Sequence, residues 1–523
     1  MYRTGVLVLI LLGCLCSSSR ADIAGDVLAR CRQVCGKIPA TEPIGVSFER
    51  KDGTWRISGV NLYSNMGLSD FDLEPLAELA TLDSLLIRSQ TALRDSGGAH
   101  LTAEGIRKLR ALHHLRRLIL DLDWPAGGFK AVSSLRTLED LDLSRCVSGR
   151  PLKDLKDLDL ARYWISEDKD LVHLKNLPGL RRLFLPSGVK GKSLASIKSL
   201  KHLEELGLWR VEEGMGELGE LDNLHVLDIR EIGPMALSSL KDLSHLKQLS
   251  IGAYIPGDTS ADQVRLPDGL QRLEMPDTVA ERLDLGKISK KLECVGLYIS
   301  LEDPTWLTRK GVEWLGSLPN LKELILVMPK DDEIRSIAGL TALRGLALTG
   351  ECGFVSDEGM KALTGLQQLE SLKIDSGSPS KMTDVGMGVL RSLTNLRRLD
   401  ILYAPNITSK GLSGIWELKQ LRVLGLHLEG KAFKGHVDDV LAHVADLSEL
   451  EELTIEATLT DEGLKMLAGL KKLRRLDLTG CTGYTDDGLA SLMKALPALE
   501  VVKISYRPAV ASSASSTAPR SGG

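Results

Sequence analysis

Read for its apolar and polar positions, the chain repeats one pattern: L-x-x-L-x-L, then a polar turn, then an apolar stripe at helical spacing. In LRRLDL (Leu473–Leu478), Leu476 and Leu478 stand two apart and share one side of a short strand, while Arg475, Asp477 and Thr479 share the other. Upstream, TDEGLKMLAGL sets Leu464, Met466, Leu467 and Leu470 at helical intervals. Thr460 is the expected N-cap, and Asp461 and Glu462 suit the positive end of the helix dipole. One strand and one helix of this size cannot bury their apolar sides alone. Stacked copies can, so the pattern has to recur.

It does recur, as LRRLIL (Leu115–Leu120), LEDLDL (Leu138–Leu143), LKDLDL (Leu155–Leu160), LRRLFL (Leu180–Leu185), LEELGL (Leu203–Leu208) and LHVLDI (Leu224–Ile229), and on to LEELTI (Leu450–Ile455). About eighteen copies follow at a period of roughly 24 residues, which predicts an α/β solenoid with a curved parallel β-sheet inside and helices outside. The copies near Leu141 and Leu158 are unusually close, and 89–100, 252–268 and 427–440 read as loop insertions.

Over residues 60–505 the chain resembles a leucine-rich-repeat protein. Its T-D-x-G-L helix opening resembles the cysteine-containing repeats of F-box-type substrate receptors and of exported bacterial repeat proteins. The resemblance implies protein interaction as a class. It also implies that Cys146 and Cys481, three residues past the last strand leucine, turn inward and cap backbone groups. No F-box-like segment precedes the array.

Residues 22–59 read as an N-terminal cap: the helix DIAGDVLARCRQVC, then the hairpin VSFERKDGTWRI with Asp52-Gly53 in its turn. Residues 506–523, rich in Ser, Ala, Pro and Gly, read as a disordered tail. Residues 1–21 read as an export signal, with the apolar run VLVLILLGCLC and a mature start at Asp22. A second reading stands beside it: Leu11-Leu12-Gly13-Cys14 resembles a lipobox, with Cys14 lipidated, and only then is a membrane involved. The expected location is extracytoplasmic, secreted or periplasmic.

Composition narrows the function. Sixty-six basic residues nearly cancel seventy acidic ones, for a net charge of −4, so bulk charge gives no reason to expect nucleic acid as a partner. Cys31 and Cys35 share one helix face at i, i+4; a bridge and two small apolar helix residues are both open readings. PSGVKGKS (Pro186–Ser193) nearly matches a phosphate-binding loop, but Pro186 replaces the glycine whose freedom lets amides cradle phosphate. His436, Asp439 and His443 line one helix flank with no cleft around them. No enzyme activity, cofactor or metal is expected.

The strand positions facing away from the leucines are more informative. Early repeats place Asp140, Asp142, Asp157, Asp159, Arg182, Phe184, Trp209, Asp228 and Arg230 on one concave surface. At about 4.8 Å between strands the aspartates are expected to crowd within roughly 10 Å, beside two aromatics with no folding reason to face water. Together they predict a non-enzymatic binding site for a protein or peptide ligand. The alternative is a lipid-anchored structural or adhesion element of the cell envelope.

Overall fold

The computed structural model describes residues 20–35, 37, 44–64, 68–89, 101–148, 168–185, 191–255, 265–283, 285–288, 290–299, 307–350, 355–375, 380–403, 405–427 and 437–506. Each leucine pair in them forms a short strand. The first are β1 (Ile44–Lys51), β2 (Thr54–Ser64), β3 (Ser84–Ser89), β4 (Arg117–Trp124), β5 (Asp140–Asp142) and β6 (Val147–Ser148). Next come β7 (Arg182–Phe184), β8 (Glu205–Val211), β9 (Val226–Ile232), β10 (Gln248–Tyr254), β11 (Arg272–Pro276), β12 (Cys294–Tyr298) and β13 (Glu323–Val327). The series ends with β14 (Gly345–Thr349), β15 (Ser371–Asp375), β16 (Arg398–Leu402), β17 (Val423–His427), β18 (Glu452–Glu456), β19 (Arg475–Leu478) and β20 (Val501–Tyr506).

From β2 to β20 successive strands pair in parallel, except that β5 joins β7 directly and β6 lies against the end of β4. The register carries one apolar row around the sheet. It runs from Val60 through Leu85, Leu118, Leu141 and Leu183 to Leu476 and Val502, none of these more than 1% exposed. These side chains point outward, into an annular core under short helices and 3-10 turns. Burying one such leucine contributes about 1.5–3 kcal/mol.

The sheet closes on itself. Strand β1 pairs antiparallel with β2 on one side and with β20 on the other, so Phe48 stands opposite both Ile57 and Val502. The β1–β2 turn uses Asp52 at φ 52° and Gly53 at φ 80°, the doubly left-handed turn that matches strand twist. The hairpin expected over the first repeat thus also occupies the free edge of the last strand, and no raw edge remains at this junction. Helix α1 (Arg20–Cys35) completes the outer layer there, with Leu28, Cys31, Val34 and Cys35 buried. It packs between the last helix, Asp486–Ala495, and the turn Glu74–Glu78. Arg30 Nη2 donates to the Glu78 carbonyl at 2.7 Å, and Arg32 pairs with Asp486.

The T-D-x-G phrase binds one repeat to the next. Asp461, first residue of its helix, accepts from Thr485 N and from Thr485 Oγ1, both at 2.7 Å. Asp331 holds Ser356, Asp357 holds Thr383, Asp384 holds Thr408 and Asp438 holds Thr460 in the same way. The glycine that follows makes room for the carboxylate: a Cβ on Gly488 would stand 2.0 Å from Asp461 Oδ1, and one on Gly359 2.2 Å from Asp331 Oδ1. Thr460 and Thr485 also cap their own helices, accepting from Gly463 N and Gly488 N.

Candidate functional site

Side chains alternating with the buried leucines line the inside of the ring. At about 4.8 Å per strand the wall is roughly 90 Å around and about 29 Å across between facing backbones. Facing side chains reduce the opening to roughly 15–20 Å, room for one extended chain or one helix about 10–12 Å wide.

Of the residues singled out in sequence, Asp140, Asp142, Arg182, Phe184, Trp209, Asp228 and Arg230 lie on β5, β7, β8 and β9 of this wall. Asp157 and Asp159 lie outside the described residues. Because β5 pairs directly with β7, Asp140 stands beside Arg182 and Asp142 beside Phe184, and Asp228 is three strands from β5, about 14 Å away. Among the described residues, Asp228 therefore stands apart from Asp140 and Asp142. Asp140 is held at 2.6 Å by both Arg117 Nε and Arg182 Nη2, its side chain only 14% exposed. Asp142 Oδ1 accepts from Ser144 N at 2.8 Å. The charges alternate across strands and match each other.

Phe184 also has a folding reason to be there. Its ring lies over Gly207 on the next strand, where a Cβ would meet Phe184 Cδ1 at 2.1 Å. The glycine marks a close approach between neighbouring strands. Trp209, half-buried, carries the Arg230 guanidinium 4.0 Å from its ring centroid, a cation–π pair on a water-lined wall. Beside it, Asp228 is exposed to the opening yet crowded. Desolvation raises its carboxyl above the usual range and Glu274 adds to this, while Ser250 and Arg230 pull it down. Glu205 is raised by burial, with Asp140 and Asp228 adding and Arg182 opposing. Tyr298 is raised first by burial and then by Glu274.

A second part of the wall was not recognised in sequence. A hollow of about 700 Å³ spans the strands from β11 to β18, floored by Gly345, Ala347 and Ser371 and flanked by Arg272, Lys373 and Tyr403. Tyr403 is 54% exposed and holds φ 47°, while glycines take the equivalent left-handed position after β14 and β19, Gly350 at 77° and Gly480 at 87°. A tyrosine there costs about 1–2 kcal/mol of backbone strain. Its ring faces His427 at 6.4 Å between centroids, and His427 Nδ1 lies 2.7 Å from Glu456 Oε2. Small residues beside the strand leucines, Gly345, Ala347 and Ser371, were the available signal, since each leaves space for a neighbour or a ligand.

The remaining candidates lie elsewhere. Cys146 Sγ donates to the Leu120 carbonyl at 3.1 Å and Cys481 Sγ to the Ile455 carbonyl at 3.0 Å, each reaching back to a strand of the preceding repeat. Burial pushes the Cys481 thiol up to about 12. Cys31 and Cys35 are free thiols with their sulfurs 3.8 Å apart. His443 stacks on Trp416 at 5.3 Å, and His436 lies outside the described residues, as do 186–190 of the PSGVKGKS segment and residues 1–19 of the stretch 1–21 read as an export signal. Among the described residues no group of three or more His, Cys, Asp or Glu could hold a metal ion, and no helix is long and apolar enough to cross a membrane.

No family model matches the chain. Among solved structures it is similar to an internalin of Listeria monocytogenes, at 17% identity over 63% of this chain and 81% of that one, with a TM-score of 0.28. A leucine-rich-repeat protein of Leptospira interrogans is similar at 18% identity over 78% of this chain and 96% of that one, with a TM-score of 0.27. Internalin C2 of Listeria monocytogenes is similar at 25% identity over 37% of this chain and 74% of that one, with a TM-score of 0.28. The recurring buried leucine row, the parallel strand-by-strand register and the outer layer of short helices give this chain a leucine-rich-repeat fold.

Proposed function

We propose that the chain is an exported, non-enzymatic binding module that holds an elongated protein or peptide segment against the inner wall of its ring. The contact surface is Arg182, Phe184, Trp209 and Arg230, with Asp140, Asp142 and Asp228 fixing its charge pattern. One observation carries the reading: Trp209 and Arg230 form a stacked pair facing the opening, one strand from Phe184. Tryptophan and arginine are the side chains that dominate protein interfaces when a partner desolvates them. The width of the opening favours a chain end, a hairpin or one helix over a folded domain.

The test is a pull-down of partners from the protein's native surroundings, with the mature chain and with Phe184→Ala/Trp209→Ala. Partners kept by the parent and lost by the variant, with both melting cooperatively, support the assignment. Equal retention by a folded variant removes it. The lipobox-like Leu11-Leu12-Gly13-Cys14 favours the anchored alternative, and the intact mass of the mature protein separates a start at Asp22 from a lipidated Cys14.

A further inference from the structure

The rim at which the chain enters β4, β5, β7 and β8 gathers several basic side chains around one hollow. The turns before these strands surround a hollow lined by His113, His114, Arg116, Arg136, Arg181 and His202, with Glu139 as its one carboxylate. Arg116 is shared between Glu139 at 3.6 Å and Asp83 at 3.8 Å, and Arg181 lies 3.4 Å from Glu204. Arg136 is exposed and has no carboxylate partner among the described residues.

Gly179 keeps the hollow open. The residue just before the leading leucine is His114, Thr137 and His202 in the flanking repeats, and Gly179 between Thr137 and His202. Neither backbone nor packing demands glycine here: its φ is not left-handed, and an added Cβ would meet only the Leu138 carbonyl, at 3.9 Å. What a side chain would do is fill the hollow.

We propose that this rim hollow binds a doubly charged oxyanion, a phosphate or sulfate group, independently of the inner wall. Arg136 supplies forked N–H donors that match such a group, Arg181 adds donors it shares with Glu204 at 3.4 Å, and each imidazole offers an N–H in either tautomer. Arg116 stays tied to its carboxylates and offsets Glu139. The group could be a free ion or an ester carried by a larger ligand; the recognition chemistry is the same.

Calorimetric titration of the full chain with inorganic phosphate, inorganic sulfate and glucose 6-phosphate tests this. Saturable binding is expected for phosphate or sulfate, weakening as added chloride screens the site. Arg136→Ala is expected to weaken it by about tenfold, and Gly179→Leu to abolish it by occupying the space. Glucose 6-phosphate binding at least as tightly assigns the site to esters; binding of the inorganic ions alone assigns it to free anions. No saturable binding of any probe, or binding unchanged in both variants, overturns the proposal. Should Gly179→Leu fail to fold, Arg136→Ala decides alone, because that side chain is exposed.

Discussion

Arg32 and Asp486, 454 positions apart in the chain, form an ion pair between the first helix and the last. With side chains 57% and 38% exposed, the pair contributes at most about 1 kcal/mol. It marks the closure and does not cause it. The cause is β1, whose Val46 and Phe48 are buried while its backbone bonds to β2 and β20 together.

A cross-link tests the closure directly. Ser47 and Lys503 are register partners on β1 and β20, and register partners stand about 4.5–5.5 Å apart between Cα atoms, within disulfide range. Ser47→Cys/Lys503→Cys is expected to oxidise readily in the folded protein, joining the two ends, as peptide mass mapping would show. A pair that stays reduced in the folded chain would mean that the ends do not meet.

The aspartate–glycine ladder predicts a coupling between substitutions on neighbouring repeats. Asp331→Ala removes acceptors held at 2.8 Å by Ser356 N and 2.6 Å by Ser356 Oγ, at a cost of about 1–3 kcal/mol. Gly359→Ala forces a Cβ into the same carboxylate, also costing about 1–3 kcal/mol. In the double variant the obstacle is gone, so the two costs should fall short of their sum by about 1 kcal/mol. Strict additivity in denaturant unfolding would argue against the ladder.

Glu205 predicts an inverted pH dependence. Burial raises its folded-state carboxyl above the usual 4.5, so the folded chain binds this proton more tightly than the unfolded chain. Its contribution to stability therefore falls as pH rises from the ordinary value through the raised one. Glu205→Gln should melt at a higher temperature than the parent at pH 7, and the gap should close at pH 3. Parallel melting curves across that range would show that the charge is not strained.

Most of the repeat unit was legible because its signals are local. Leu476 and Leu478, two apart, define a strand face without any neighbour, and Thr460 caps its helix whatever stands beside it. Asp52-Gly53 likewise specifies its own turn. Closure was not legible, because IGVSFERK and VVKISY carry no mark that each is the other's partner. The candidate site divides in the same way. Trp209 and Phe184 were readable as inward positions, but Asp140 was misjudged, since its charge is matched by Arg117 and Arg182 on flanking strands. Seeing that required knowing that β5 and β7 touch. The role of Asp461 was only half read for the same reason: it suits its own helix start, and it also holds Thr485 of the next repeat.

An open array of repeats can lengthen or shorten by a unit at either tip, because each unit answers only to its neighbours. A loop without tips has no such freedom. Each joint here turns by about 19° on average, and dropping one unit would oblige all the others to bend more sharply at once or leave the seam unsewn. The tally of units is thus a property of the whole circle, and duplications that an open array would tolerate should be costly in this protein.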